Sequence, residues 1–169
     1  IDNATLVHEL VHALQDQEGD LGERITATET QDAGLATDGV VEGEANYIEQ
    51  RYTNRCGSEW ECVETPISGG GPGEPPNLGI LLTLLQPYSD GPVYIDWLIE
   101  QGGWEAVEAA FEDPPQSTEQ VIHLTDEEPA PIEHTDRAPN GWATFPNQGE
   151  DGSATAGETS IYVNVSDPA

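Results

Sequence analysis

The chain has no lysine and no methionine, and its 169 residues include only four arginines and two cysteines. It also lacks a long apolar run. The longest, around Leu78–Leu85, falls far short of the ~18 residues a membrane span needs, so no transmembrane segment is expected. Scarcity of basic side chains argues against nucleic acid as a partner, because phosphate binding rests on Lys and Arg. Signal-peptide character is missing as well: Ile1-Asp2-Asn3 leads directly into helical periodicity. The chain closes on Ile161-Tyr162-Val163-Asn164-Val165, which reads as a strand followed by a cut. Both ends read as those of an excised piece, in which case a missing targeting segment carries no information.

What is abundant is acid. Thirty-three Asp and Glu face four Arg, a formal charge of −29. The excess runs along the whole chain. At low salt such charges repel one another and oppose compaction, whereas molar salt shortens the screening length to ~3 Å and removes most of that penalty. The composition is similar to that of extremely halophilic proteins. Apolar content is 36%, enough for one core, and four Trp and five Tyr call for burial. Cys56 and Cys62 lie close together in a polar, Gly-containing stretch. A disulfide closing that loop is the expectation, and it points to an oxidising, extracellular setting.

The pattern predicts a mainly α chain with minor β. Helix one spans about Ala4–Gln17 with Asn3 as N-cap and Gly19 as stop. Leu6, Leu10, Ala13 and Leu14 recur on it at helical spacing, with Gln15 and Asp16 outside that stripe. A connection follows, with a short strand expected at Arg24–Ala27. Helix two covers roughly Asp32–Arg55, where Val41, Ala45, Ile48 and Tyr52 share one face. Residues 56–77, with Gly69-Gly70-Gly71-Pro72-Gly73 and Pro75-Pro76, read as a flexible loop. Short helices are expected at Leu78–Gln86, ended by Pro87, at Pro92–Gln101, from Trp104 to before Pro114, and from Ser117. Residues 1–125 thus form a helical domain, and 126–169 an acidic Pro/Gly-rich extension ending in the strand.

Helix one carries His8-Glu9-Leu10-Val11-His12, an H-E-x-x-H pattern. Two His four residues apart share a helical face, so both imidazoles can reach one metal ion. Glu9 lies beside that face, within reach of a metal-bound water without being a ligand. A catalytic zinc site needs a third protein ligand. No third His follows at the short spacing of the Met-turn class, and Met is absent. Helix two supplies a carboxylate instead. Glu42 shares a face with Asn46 and Glu49, beside the Val41–Ala45–Ile48 stripe, whereas Glu44 is rotated roughly 200° away. Glu42 is therefore the expected ligand, with Glu44 either solvated or behind the ligands. Gly43 costs ~1 kcal/mol inside a helix, which predicts close approach of another backbone.

His8 to His12, followed some thirty residues later by Glu42-Gly43-Glu44-Ala45, resembles the gluzincin zinc metallopeptidases. The run Thr5-Leu6-Val7-His8-Glu9-Leu10-Val11-His12-Ala13-Leu14-Gln15-Asp16-Gln17 is similar to uncharacterised secreted or surface proteins of haloarchaea. So are Gly102-Gly103-Trp104-Glu105-Ala106-Val107 and Pro114-Pro115-Gln116-Ser117-Thr118-Glu119-Gln120-Val121-Ile122-His123. The resemblance covers about residues 3–124. It implies a zincin-like catalytic fragment, secreted or at the cell surface, acting on a peptide or protein. It further implies zinc held by His8, His12 and Glu42, with Glu9 as general base. His123 is the expected donor to the oxyanion, with Tyr88 and Tyr47 as other choices, and Asp16 and Asp38 are candidates to orient the imidazoles.

The chain departs from the zincin pattern in one respect. Zincins place a sheet before the active-site helix and bind extended peptide along its edge. Here only three residues precede helix one, so the sheet is either elsewhere or built from Arg24–Ala27 and the terminal strand. Two alternatives remain open. One is a non-catalytic surface module with a structural or vestigial zinc site closed by His123 or His134. The other is an acidic interaction domain without metal.

Overall fold

A computed structural model describes residues 2–63, 78–130, 132 and 156–166, with side chains in the last stretch described to residue 162. Eight helices account for the regular structure among the described residues: α1 Asn3–Glu18, α2 Leu21–Thr26, α3 Gln31–Thr53, α4 Leu78–Ser89, α5 Gly91–Gly102, α6 Trp104–Glu112, α7 Thr118–His123 and α8 Glu158–Ser166. No strand occurs among these residues; Cys56 and Trp60 form an isolated bridge.

The 23-residue α3 is the axis. Helices α1, α2, α4, α5, α6 and α7 all pack on it. A helix surrounded this way needs small side chains to admit its neighbours, and Ala33, Ala36, Gly39, Gly43 and Ala45 are buried along it. The tightest approach is to α5. A Cβ on Gly43 would lie 2.6 Å from the Gly91 carbonyl carbon, so the two backbones touch there. The close approach expected from Gly43 is thereby accounted for. The core proper joins Ala36, Val40 and Tyr47 of α3 to Tyr94, Ile95 and Leu98 of α5, Val107 and Ala110 of α6, and Val121 of α7.

The helical elements fall close to their expected bounds, and four local expectations are corrected. Arg24–Ala27 is not a strand: Leu21–Thr26 is helical, capped by Asp20, whose carboxylate accepts from Glu23 N at 3.0 Å. Pro87 does not end α4, which continues to Ser89. In the last turn proline forfeits a single intrahelical bond. The terminal strand is likewise a helix, α8. Its β-branched residues suggest a strand, but tertiary bonds override that preference. Thr118 Oγ1 accepts the Thr159 N–H, one of the donors a helix start leaves unpaired, and Glu158 holds His123. Through α8 the extension packs on α4 and α7. Asp2, not Asn3, caps α1, accepting from Thr5 N at 2.8 Å. Cys56 and Cys62 are disulfide-bonded with Cα atoms 5.4 Å apart. Residues 64–77 of the expected loop, and most of the extension before α8, lie outside the described residues.

The largest surprise is the face α1 presents. Its leucine stripe points outward, with Leu6, Leu10 and Leu14 exposed at 49%, 55% and 58%. Val11 and Gln15 are buried instead, with His8 and His12 half-buried beside them. Leu10→Ala is therefore expected to change stability by no more than about 0.5 kcal/mol, as for an unpacked surface site. Val11→Ala should cost about 1–2 kcal/mol in lost burial and cavity formation. Denaturant midpoints at fixed salt decide between them: a larger loss at Leu10 would mean that α1 docks by its leucines.

Candidate metal centre

His8 and His12, one turn apart on α1, face Glu42 on α3. Their Nε2 atoms are 3.1 Å apart. Glu42 Oε2 lies 3.2 Å from His8 Nε2 and 3.4 Å from His12 Nε2. Ligand atoms at roughly 2.0–2.1 Å from a tetrahedral zinc ion are separated by ~3.3 Å, so these three already mark one face of such a tetrahedron. Among the described residues no fourth His, Cys, Asp or Glu joins them. His134 lies outside the described residues.

The far sides of the imidazoles show which protons are present. His8 Nδ1 lies 3.1 Å from Glu49 Oε2, and a carboxylate accepts. His12 Nδ1 lies 2.8 Å from Gln15 Oε1. The Gln15 amide nitrogen donates to the Val41 carbonyl at 3.0 Å and to Glu44 Oε2 at 2.8 Å. A neutral ring in either place is thereby led to carry its hydrogen on Nδ1 and to turn its Nε2 lone pair inward, whereas a protonated His12 presents Nε2–H to Glu42. With both rings neutral, two imidazole lone pairs and a carboxylate oxygen converge there. That is a repulsive cluster unless a proton or a cation enters it, and two imidazoles with a carboxylate are a donor set that could hold a metal ion.

The electrostatics agree with that picture. Pairing with Glu42 raises His12 above its ordinary 6.5, burial opposes the rise, and the Gln15 contact adds to it. Burial pushes the Glu42 carboxyl up, but His12, then Tyr88 and His8, outweigh it and hold the group below 4.5. Burial and then Glu42 raise Asp38, one turn earlier on α3. Glu44 is also raised, mainly by burial, with Gln15 opposing.

Tyr88, near the end of α4, completes the surroundings. Its ring stacks on His8, with centroids 6.3 Å apart and planes at 18°. Burial and the nearby Glu42 carboxylate push its hydroxyl up to about 12, so it keeps its proton at physiological pH. Asn46 Nδ2 donates to the Tyr88 carbonyl at 3.0 Å and pins this corner to α3. Glu9 is exposed, and its charge acts on both His12 and Tyr88.

Comparisons with protein families, curated proteins and solved structures find no match. The site therefore rests on its own geometry.

The expected ligands His8, His12 and Glu42 converge. Other expected contributors sit elsewhere. His123 Nε2 is held by both carboxylate oxygens of Glu158, at 2.9 and 3.1 Å. Tyr47 is in the core, its hydroxyl accepting from Arg51. Asp16 accepts from Leu21 N at the start of α2. The imidazoles are oriented by Glu49 and Gln15, not by Asp16 or Asp38. Signals for both were present: Glu49 shares the Glu42 face, and Gln15 is three residues from His12, within reach on a helix.

The raised His12 and lowered Glu42 set a pH signature. In metal-free protein their pairing adds stability that is full below pH 6.5 and fades as pH climbs through the raised His12 value. Acidification removes it again below pH 4.5, through the depressed Glu42 value. Zinc should reverse the first trend, because His12 must give up its proton to bind. The zinc-induced rise in thermal midpoint should therefore be larger at about pH 8 than at about pH 6. The opposite order would remove His12 from the ligand set.

Proposed function

We propose that the chain is the metal-binding core of a gluzincin-type zinc peptidase. The observation that carries this reading is the convergence of His8 Nε2, His12 Nε2 and Glu42 Oε2, spaced as the face of a tetrahedron and left open on the fourth side among the described residues. A structural zinc site closes that position, whereas a catalytic one keeps it open.

Zinc bound there would polarise a peptide carbonyl and bring the pKa of a water down to about 7. The rest of the chemistry belongs to the chain. Glu9, on the same helix and exposed at the site's edge, takes the proton of the attacking water. As the C–N bond breaks, Glu9 returns that proton to the leaving nitrogen. Tyr88 takes the role expected of His123. Its phenol sits against Glu42 and keeps its proton, so it can donate to the oxygen on which negative charge develops. Glu49 and Gln15 contact the outer nitrogens of the two imidazoles.

A second reading is favoured by one observation. No strand occurs among the described residues, so they offer no sheet edge for an extended peptide. In that reading zinc binds and peptides are not cleaved.

The deciding experiment is elemental mass spectrometry of protein purified in molar salt, paired with a peptide-hydrolysis assay. About one zinc per chain is expected, lost in Glu42→Ala and retained in Glu44→Ala and Glu9→Gln. Hydrolysis should vanish in Glu9→Gln. Zinc without Glu9-dependent hydrolysis selects the second reading, and absence of zinc after reconstitution removes both.

The acidic composition and the disulfide support a halophilic, extracellular setting as part of the same proposal. The thermal midpoint is then expected to rise steeply between about 0.1 and about 3 M KCl as screening sets in. A flat response would leave the charge without that explanation.

A further inference from the structure

The buried side chain behind His12 is a glutamine, 7% exposed, in the seam between α1 and α3. An amide can be turned either way round, and which way it faces decides what it offers the imidazole. Here the backbone of α3 makes the choice. The Val41 carbonyl can only accept, so the NH2 end of Gln15 must face it, at 3.0 Å. Glu44 Oε2, at 2.8 Å, lies against the same NH2 group. The amide oxygen is left facing His12 Nδ1 at 2.8 Å, where the ring must present N–H. The opposite tautomer would set a ring lone pair against the amide oxygen. It would also aim an N–H at His8 Nε2 and Glu42 Oε2, the space a metal would enter.

We propose that Gln15 is a positioning residue that locks His12 into its metal-binding tautomer, with Val41 and Glu44 fixing the orientation of its amide. This rests on the reading of His8, His12 and Glu42 as metal ligands. It adds a role for a residue that touches neither metal nor substrate. His8 is treated differently: its Nδ1 meets a carboxylate, which accepts whichever way it is turned. The lock on His12 is therefore the one that depends on a second contact.

Two substitutions separate positioning from mere bridging of the helices. Gln15→Met keeps length and volume but loses both the acceptor for His12 and the donor to Val41. Gln15→Glu, made in a Glu44→Gln background so that the new carboxylate meets an amide and not a second carboxylate, keeps the acceptor and loses the donor. Two quantities are read on the full chain in molar salt, with folding checked by circular dichroism. One is the His12 tautomer in metal-free protein, by long-range 1H–15N NMR at a pH where the ring is neutral. The other is the zinc Kd by competition with a chelator.

Wild type should show His12 with hydrogen on Nδ1. Gln15→Met should populate the other tautomer and weaken zinc about 10–100-fold, the usual range for losing such a contact. Gln15→Glu should keep the tautomer and stay within a few-fold of wild type in affinity. The proposal is overturned if folded Gln15→Met keeps both tautomer and affinity, or if Gln15→Glu loses as much as Gln15→Met. Should Gln15→Met fail to fold, a shifted tautomer in Gln15→Glu overturns it alone. A wild-type chain that takes up no zinc sinks the metal reading, while the tautomer comparison still decides what Gln15 does.

Discussion

The structure depends on a polar seam. Where α1 crosses α3, the contact is made largely by His8, His12 and Gln15 against Glu42, Glu44, Glu49 and the Val41 carbonyl. Val11 is the one buried apolar side chain α1 contributes. Polar contacts of this kind exchange water for protein partners and return only about 0.5–1.5 kcal/mol each. A seam whose centre holds three converging lone pairs returns less still. The helix bearing both imidazoles is therefore held by Val11 and by the groups that surround the metal-binding atoms, with the ligands themselves at the centre of the seam. Binding and docking of α1 become one equilibrium, and an ion that binds only the docked form stabilises it by mass action.

The other side of the site is built from the opposite material. Gly43 and Gly91 bring α3 and α5 into backbone contact, and the turn between α4 and α5 rests on that contact. Tyr88 stands just before this turn, so the glycine contact sets how near its phenol comes to Glu42. Asn46 fixes the same corner through the Tyr88 carbonyl. One wall is thus rigid, made by close packing and tied to the core through Tyr94 and Ile95. The other wall is α1. Such an arrangement suits a site that must hold a donor still while ligands close on a cation.

These two walls explain which parts were legible in the sequence. H-E-x-x-H and the position of Glu42 on its helix face are local facts, readable from a 3.6-residue period. Gly43 was legible because a glycine inside a helix needs a reason. The leucine stripe misled because amphipathicity tells that a helix has two faces, and burial is decided by what the neighbours offer. Helix α3 offers carboxylates and a carbonyl, so the histidine face turns inward. Tyr88 could be named as a candidate, but its place beside His8 was not readable, since it depends on how α4 returns to α3. The terminal residues were misread for the same reason: Thr118, some forty residues earlier, supplies the acceptor that starts α8.

Charge is organised by a separate rule. Each of the three arginines among the described residues lies over an aromatic ring: Arg24 over Phe111, Arg51 over Tyr47 and Arg55 over Trp60. Arg24 and Arg51 also donate to neutral oxygens, those of Gly19, Phe111 and Tyr47. Among the described residues the only arginine–carboxylate pair is Arg55–Glu59, at 3.8 Å and exposed, a kind of contact worth little. The described arginines are spent on packing and caps, and most of the carboxylates outside the seam are left to the solvent. Neutralising them falls to dissolved salt, which acts on exposed charges and hardly on the half-buried seam. The proposed dependence on salt and the proposed dependence on zinc therefore concern different parts of the molecule. Salt would govern whether the chain compacts, and zinc whether α1 stays seated on a chain already compact.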